Sequence, residues 1–129
     1  MNDRALVLIV EDNPRNLKLA RDVLEHAGYH TLAAGTAEDG LALALERHPD
    51  LVLLDIQLPG MDGVGALGRL RADPATADIP VIALTAFAMK ADRERFLAAG
   101  FDRYVEKPLD VRELPRQVAE ALASARARA

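Results

Sequence analysis

The stretch LVLLDIQLPGMDG, residues 51–63, is the part of the sequence that decides the fold. Its first four residues, Leu51–Leu54, are apolar and show no polar alternation, which is typical of a strand buried on both faces of a parallel sheet. Asp55 ends this apolar run, and Pro59 and Gly60 then turn the chain. The stretch therefore predicts a central parallel strand with a carboxylate at its carboxyl end.

Further apolar runs lie at Leu6–Val10 and Val81–Leu84, and the segments His30–Ala34 and Arg103–Val105 are weaker strand candidates. The predicted strands are Leu6–Val10, His30–Ala34, Leu51–Leu54, Val81–Leu84 and Arg103–Val105. Segments with apolar residues at helical spacing separate them, and Asn13 before Pro14 is a good start signal for the first helix. This alternation predicts an α/β fold, a doubly wound five-stranded parallel sheet in the flavodoxin-like order 2-1-3-4-5.

The composition predicts one domain over residues 1–129, with a core at about 5–123 and a frayed tail at 124–129. The chain has no cysteine, which excludes a disulfide scaffold, a thiol nucleophile and a cysteine zinc site. Its net charge of -4 argues against direct DNA binding. We find neither an apolar run of roughly 18 residues nor a signal peptide, so we expect no membrane association and a cytoplasmic location.

Polar side chains follow four of the predicted strands. Glu11 and Asp12 come after the first strand, Asp55 ends the third, Thr85 ends the fourth, and Lys107 comes after the fifth. In a doubly wound sheet, ligands bind beyond the carboxyl ends of the strands. We therefore expect three carboxylates, a hydroxyl and an ammonium group in one crevice.

The three carboxylates need a compensating charge, because like charges at close range repel one another. Mg²⁺ prefers oxygen ligands and needs only one or two carboxylates. We expect Asp12 and Asp55 as direct ligands, Glu11 at longer range or through water, and the backbone carbonyl of Gln57 as a further ligand. An alternative for Glu11 and Asp12 is that they help to start the next helix.

Asp55 is the candidate nucleophile, since a carboxylate can attack phosphorus and form an acyl phosphate. Thr85 and Lys107 could hold the phosphoryl oxygens. Taken singly, each residue has a simpler explanation: Asp55 caps a turn, Thr85 fills a strand, and Lys107 is a surface charge. Their joint placement at neighbouring strand ends favours the phosphoryl site. Pro108 after Lys107 leaves open a cis bond that would direct the lysine into the crevice.

Four motifs resemble the receiver domains of bacterial two-component response regulators, and the resemblance covers essentially the whole chain. The motifs are VLIVEDN at Val7–Asn13, LVLLDIQLPGMDG at Leu51–Gly63, IPVIALTA at Ile79–Ala86 and YVEKP at Tyr104–Pro108. No single motif is specific, but their order and spacing together are.

The resemblance implies a role for each residue of the crevice. Glu11, Asp12 and Asp55 would form an acidic pocket, with Asp55 as the phosphoacceptor. Thr85 would be the switch hydroxyl and Lys107 the phosphate-binding lysine. The resemblance also places a switch aromatic at position 104, where a tyrosine stands. On phosphorylation this ring would rotate toward the space that Thr85 vacates, and the face made by the fourth helix, fifth strand and fifth helix would change its preferred partner.

A narrower resemblance is to the DivK type of single-domain regulator and to receivers within hybrid sensor kinases. The segments Glu11–Ala20 and Thr85–Pro108 carry it. It implies a histidine kinase or a histidine phosphotransfer protein as phosphodonor and a downstream protein target. Apolar groups at Phe87–Met89 either dock such a partner or pack locally.

Three other functions compete with this interpretation. A phosphohydrolase of the haloacid dehalogenase type needs a second carboxylate two residues after its nucleophile, and Gln57, which stands there, cannot shuttle a proton. An FMN binder would need a phosphate-binding loop after the first strand, where Glu11–Pro14 is acidic. A phosphorylation-dead receiver is disfavoured by the intact set of Asp55, Thr85 and Lys107. We therefore expect no enzymatic activity other than catalysis of the chain's own phosphorylation and dephosphorylation at Asp55.

Overall fold

The structure is a computed structural model that describes residues 4–86 and 89–128. Strands and helices alternate along this part of the chain, as the sequence predicts. The elements are β1 (Leu6–Val10), α1 (Pro14–His26), β2 (His30–Ala34), α2 (Ala37–Arg47), β3 (Leu51–Asp55), α3 (Gly63–Ala72), β4 (Val81–Thr85), α4 (Lys90–Ala99), β5 (Arg103–Glu106) and α5 (Glu113–Arg128).

The five strands form one parallel sheet in the order β2-β1-β3-β4-β5, which confirms the predicted topology. The register aligns the carboxyl ends of the three central strands, because Val10 pairs with Leu54 and Leu54 pairs with Ala83. The residues that follow these strands therefore emerge at the same edge of the sheet.

Each face of the sheet is covered by helices, and alternate strand residues point to opposite faces. One core contains Ile9, Leu53 and Leu84 together with buried residues of α1 and α5. The other contains Leu54 and Ala83 together with buried residues of α2, α3 and α4. All residues of β3 and β4 are buried, which explains why these two strands lack polar alternation in the sequence.

The ends of α1 and α4 have the residues that such positions favour, and Asn13 confirms its predicted role as a start signal. The side chain of Asn13 caps α1 by accepting hydrogen bonds from the backbone N–H groups of Arg15 and Asn16. At the C-terminus of α4, Gly100 adopts a φ of 112°, a left-handed conformation that favours glycine.

Four boundaries differ from the sequence prediction. Helix α5 continues to Arg128, through most of the tail that we expected to fray. Alanine and arginine have high helix propensity, which accounts for the longer helix. Strands β3, β4 and β5 each extend one residue further than predicted, to Asp55, Thr85 and Glu106. Among the described residues, no helix is both long enough and apolar enough to cross a membrane.

Candidate functional site

The predicted site residues lie at the carboxyl edge of the sheet. Glu11 follows β1, Asp55 ends β3, Thr85 ends β4 and Lys107 follows β5. Glu11, Asp55 and Thr85 are almost completely buried, and Asp12 is exposed at the rim. The fold therefore brings the polar residues together, as their positions after the strands predict.

The two oxygens of Asp55 have different partners. Oδ1 accepts a hydrogen bond of 2.9 Å from the backbone N–H of Gln57, and Oδ2 accepts one of 3.0 Å from Nζ of Lys107. The first contact is the turn cap that the sequence offered as a simpler explanation, and the second joins Asp55 to the cationic group of the crevice. The turn-capping contact and the contact with Lys107 are therefore made by different oxygens, and the role of Asp55 as nucleophile stays a prediction.

Glu11 is a buried carboxylate that is only partly satisfied. Its Oε2 accepts a hydrogen bond of 3.1 Å from the backbone N–H of Asn13, whereas Oε1 lies 2.7 Å from Nζ of Lys107 without a well-directed hydrogen bond. Burial raises the pKa of Glu11; the interaction with Lys107 counteracts this rise, and the nearby Asp55 adds to it. The buried Oε1 of Glu11 is therefore available as a ligand for a cation.

Lys107 joins the two buried carboxylates. Burial alone would lower the pKa of Lys107, but its interactions with Glu11 and Asp55 outweigh burial and raise the pKa, so the group stays charged. Its backbone N–H donates a 2.8 Å hydrogen bond to the carbonyl of Thr85, and the peptide bond to Pro108 is cis. The side chain of Lys107 reaches the two acidic residues past the end of β4, which separates β5 from β3 in the sheet.

The acidic residues fit a hard divalent cation. Glu11, Asp12 and Asp55 each present a carboxylate oxygen, and these oxygens lie within 4.8 Å of one another. An all-oxygen donor set, one exposed carboxylate that leaves room for water, and a buried oxygen of Glu11 without a hydrogen bond suit Mg²⁺. The role of the Gln57 carbonyl stays a prediction.

Thr85 and Tyr104 lie on the same face of the sheet. Tyr104 pairs with Ala83, and Thr85 follows Ala83 by two residues, so both side chains are on the face that α4 covers. Tyr104 is half-buried, and its hydroxyl accepts a 3.0 Å hydrogen bond from Nη1 of Arg93. The switch role of Tyr104 stays a prediction.

Sequence reasoning missed two residues near the site. A Cβ atom at Gly63 would lie 2.5 Å from the backbone carbonyl oxygen of Asp55, so glycine is needed there; its place in the motif at 51–63 was the available signal. Arg93 had no local signal, because its partner Tyr104 is eleven residues away. Of the apolar group at Phe87–Met89, Met89 is 76% exposed and the other two residues lie outside the described residues.

Residues 7–119, most of the chain, match the family model of the response regulator receiver domain. The chain belongs to this family. The polar-differentiation response regulator DivK of Brucella ovis is 49% identical over 105 residues, which cover 81% of this chain and 85% of that protein. DivK of Brucella anthropi is 48% identical over the same shares.

Solved structures of receiver domains are similar to this structure. A CheY-like receiver domain protein from Methanospirillum hungatei superimposes with a TM-score of 0.88 at 30% identity, over 98% of this chain and all of that chain. The receiver domain of sensor histidine kinase PA1611 from Pseudomonas aeruginosa gives 0.85 at 33% identity, over 93% of this chain and 98% of that chain. That receiver domain has a magnesium ion coordinated in its active site cleft.

The chain is therefore a DivK-like receiver domain of two-component signalling. This family consists of signalling domains rather than of enzymes that act on an external substrate, and its members bind Mg²⁺ at an acidic site. The cluster of Glu11, Asp12 and Asp55 is consistent with that chemistry.

Proposed function

We propose that this receiver domain takes a phosphoryl group onto Asp55 from a phosphohistidine of a histidine kinase or histidine phosphotransfer protein. A carboxylate oxygen of Asp55 forms the new bond to phosphorus while the phosphorus–nitrogen bond breaks, and the imidazole leaves with the bonding pair. The product is an acyl phosphate at the end of β3.

The observation that carries this proposal is the position of Lys107 between two buried carboxylates. Its Nζ lies 3.0 Å from Oδ2 of Asp55 and 2.7 Å from Oε1 of Glu11. A cation held against the nucleophile is placed to accompany the negative charge of an incoming phosphoryl group, and positioning supplies much of the catalysis of phosphoryl transfer.

The remaining residues have roles that follow from their chemistry. The Thr85 hydroxyl would donate a hydrogen bond to a phosphoryl oxygen, and Lys107 would turn from Oδ2 of Asp55 to another. Asp12 and Asp55 would hold Mg²⁺ directly, Glu11 at longer range or through water, and the Gln57 carbonyl would complete the protein ligands. The bound ion would supply charge compensation for the acidic pocket and the phosphoryl group.

For the biological setting, we propose a cytoplasmic single receiver domain over residues 1–129 that signals by phosphorylation-dependent contact with a downstream protein. Its DivK relatives support this setting, because they match over 85% of their own length. The face formed by α4, β5 and α5 would contact the target, without direct binding to DNA or membrane. An alternative setting is a receiver module of a hybrid histidine kinase, which the likeness to the PA1611 receiver favours.

The test is uptake of a phosphoryl group from acetyl phosphate in the presence of Mg²⁺. We expect the intact mass to increase by one phosphoryl group, in an adduct that alkali removes and that EDTA prevents. Asp55→Asn should show no adduct, whereas the matched substitution Asp78→Asn, at an exposed aspartate, should behave as wild type. An adduct of undiminished size in Asp55→Asn, or none in wild type, contradicts the proposal.

A further inference from the structure

Helix α4 is held less firmly than its neighbours. It begins at Lys90 after Met89, which provides no side-chain cap, and Phe96 is the single fully buried side chain among its ten residues. A helix with few buried side chains shifts at a low energetic cost. The contacts that remain at its first turns therefore have a large influence on its position.

Arg93, in the first turns of α4, contacts Tyr104 of β5 in two ways. Its Nη1 donates a 3.0 Å hydrogen bond to the tyrosine hydroxyl, and its Cζ lies 5.6 Å from the centroid of the ring, within the range of a cation–π interaction. The hydrogen bond to Tyr104 and, more weakly, the carboxylate of Glu106 raise the pKa of Arg93, so the guanidinium is charged at any working pH.

This contact fixes where the ring lies. Tyr104 is half-buried and lines a surface cavity of about 410 Å³ with Leu97 and Gln117. Across the sheet its partner is Ala83, whose small side chain lies on the same face as Thr85. The ring thus lies against Arg93, half-buried, on the same face of the sheet as Thr85, toward which the predicted switch would rotate it.

We propose that Arg93 is a positioning residue that holds Tyr104 outward and so opposes the phosphorylated state. This inference rests on the proposed phosphorylation of Asp55 and on the predicted switch role of Tyr104. If the ring turns toward Thr85, both interactions with Arg93 are lost, and the guanidinium is left with Glu106 as its electrostatic partner. Any contact made only in the resting state shifts the equilibrium away from the active state by its own free energy.

The test uses beryllofluoride, a stand-in for the phosphoryl group, with Mg²⁺ and the whole chain. Arg93→Met keeps the aliphatic stem and removes the hydrogen bond and the charge. We expect it to bind beryllofluoride about threefold to tenfold more tightly than wild type, which corresponds to one charged hydrogen bond and an exposed cation–π contact. Arg95→Met removes the same charge from the same helix at a side chain that contacts Asp92 and Phe96 instead, and it should bind as wild type.

Tyrosine ring NMR signals give a second readout that a merely structural role of Arg93 would not move. In ligand-free Arg93→Met, the Tyr104 signals should shift toward their beryllofluoride-bound positions, while Tyr29, which lies before β2, serves as an internal reference. In a Tyr104→Phe background, which lacks the hydroxyl, Arg93→Met should give a smaller gain in affinity.

The outcomes separate the two proposals. If wild type binds beryllofluoride and Arg93→Met equals wild type or Arg95→Met in affinity, the positioning role is overturned and the phosphorylation of Asp55 stands. An unreduced gain in the Tyr104→Phe background also overturns it, because the effect would then not pass through the hydroxyl. If wild type binds no beryllofluoride and takes no phosphoryl group from acetyl phosphate, the proposed function fails, and this inference fails with it.

Discussion

Lys107 offsets the free-energy cost of burying two carboxylates in the acidic pocket. Glu11 and Asp55 are each less than 4% exposed, and the cost of burying such charges is large unless they are paired. The ammonium group lies within 3.0 Å of an oxygen of each. A divalent cation in the same pocket would share these carboxylates with Lys107, so the lysine and the metal oppose each other electrostatically.

This competition predicts the behaviour of Lys107→Met. Without metal, the variant should lose about 1–3 kcal/mol of unfolding free energy, since protonation of Glu11 limits the cost of the lost partner. Added Mg²⁺ should then raise its melting temperature more than that of wild type, because no ammonium repels the ion. Differential scanning calorimetry with and without Mg²⁺ measures both effects.

The matched control is Lys18→Met, which removes an exposed ion pair with Asp22 on α1. Exposed pairs contribute little, so both its melting temperature and its response to Mg²⁺ should stay close to wild type. A Lys107→Met protein whose response to Mg²⁺ is equal to or weaker than that of wild type would show that the lysine and the ion do not share the pocket.

At the scale of elements, the close approach of α3 to the end of β3 positions the nucleophile. Gly63, the first residue of α3, donates its N–H to the carbonyl of Ile56 at 3.0 Å. An added Cβ would meet the carbonyl oxygen of Asp55 at 2.5 Å and the Cα of Ile56 at 2.8 Å. These are backbone atoms of the segment that carries the nucleophile, so they cannot move without displacing it.

Gly63→Ala should therefore damage both stability and the site. We expect a loss of about 2–3 kcal/mol in unfolding free energy from overpacking, together with a slower rate of phosphorylation by acetyl phosphate. Gly68→Ala, in the interior of the same helix, meets no atom within 4 Å and should gain about 1 kcal/mol from helix propensity. Urea unfolding of both variants measures the contrast, and equal shifts of the same sign would contradict it.

The sequence predicts those features of the site that depend on local pattern. Asp55 and Thr85 end apolar runs, and Lys107 directly follows β5, so the rule for parallel strand ends suffices to bring them together. The contact of Arg93 with Tyr104 and the spacing at Gly63 depend instead on how one element packs on another. The extension of α5 to Arg128 follows from the high helix propensity of alanine and arginine.

At the scale of the whole molecule, the guanidinium of Arg71 joins several chain segments at the edge of the sheet opposite the site. Nη1 of Arg71, in α3, donates to the carbonyls of Ala77 and Ile79, and Nη2 donates to the carbonyl of Gly100 and to Oδ2 of Asp102. The same Oδ2 accepts the backbone N–H of Val81 at the start of β4. No local pattern predicts this cluster, since Arg71 and Asp102 are 31 residues apart.

Because this cluster lies at the edge of the sheet opposite the site, we predict that Arg71 contributes to stability and not to phosphorylation. Arg71→Met should lower the unfolding free energy by about 2–3 kcal/mol, because partly buried carbonyls and a carboxylate lose a charged donor. Arg71→Lys should recover little of this, since an ammonium group lacks the planar fork that reaches several acceptors at once. Urea unfolding measures both losses, and Arg69→Met, an exposed arginine two residues earlier on α3, is the matched control and should be close to wild type.

The folded Arg71 variants should still react with acetyl phosphate at the wild-type rate, because the cluster lies at the amino ends of β4 and β5, whereas Asp55 lies at the carboxyl end of β3. A slowed reaction in fully folded protein would show that the two edges of the sheet are coupled.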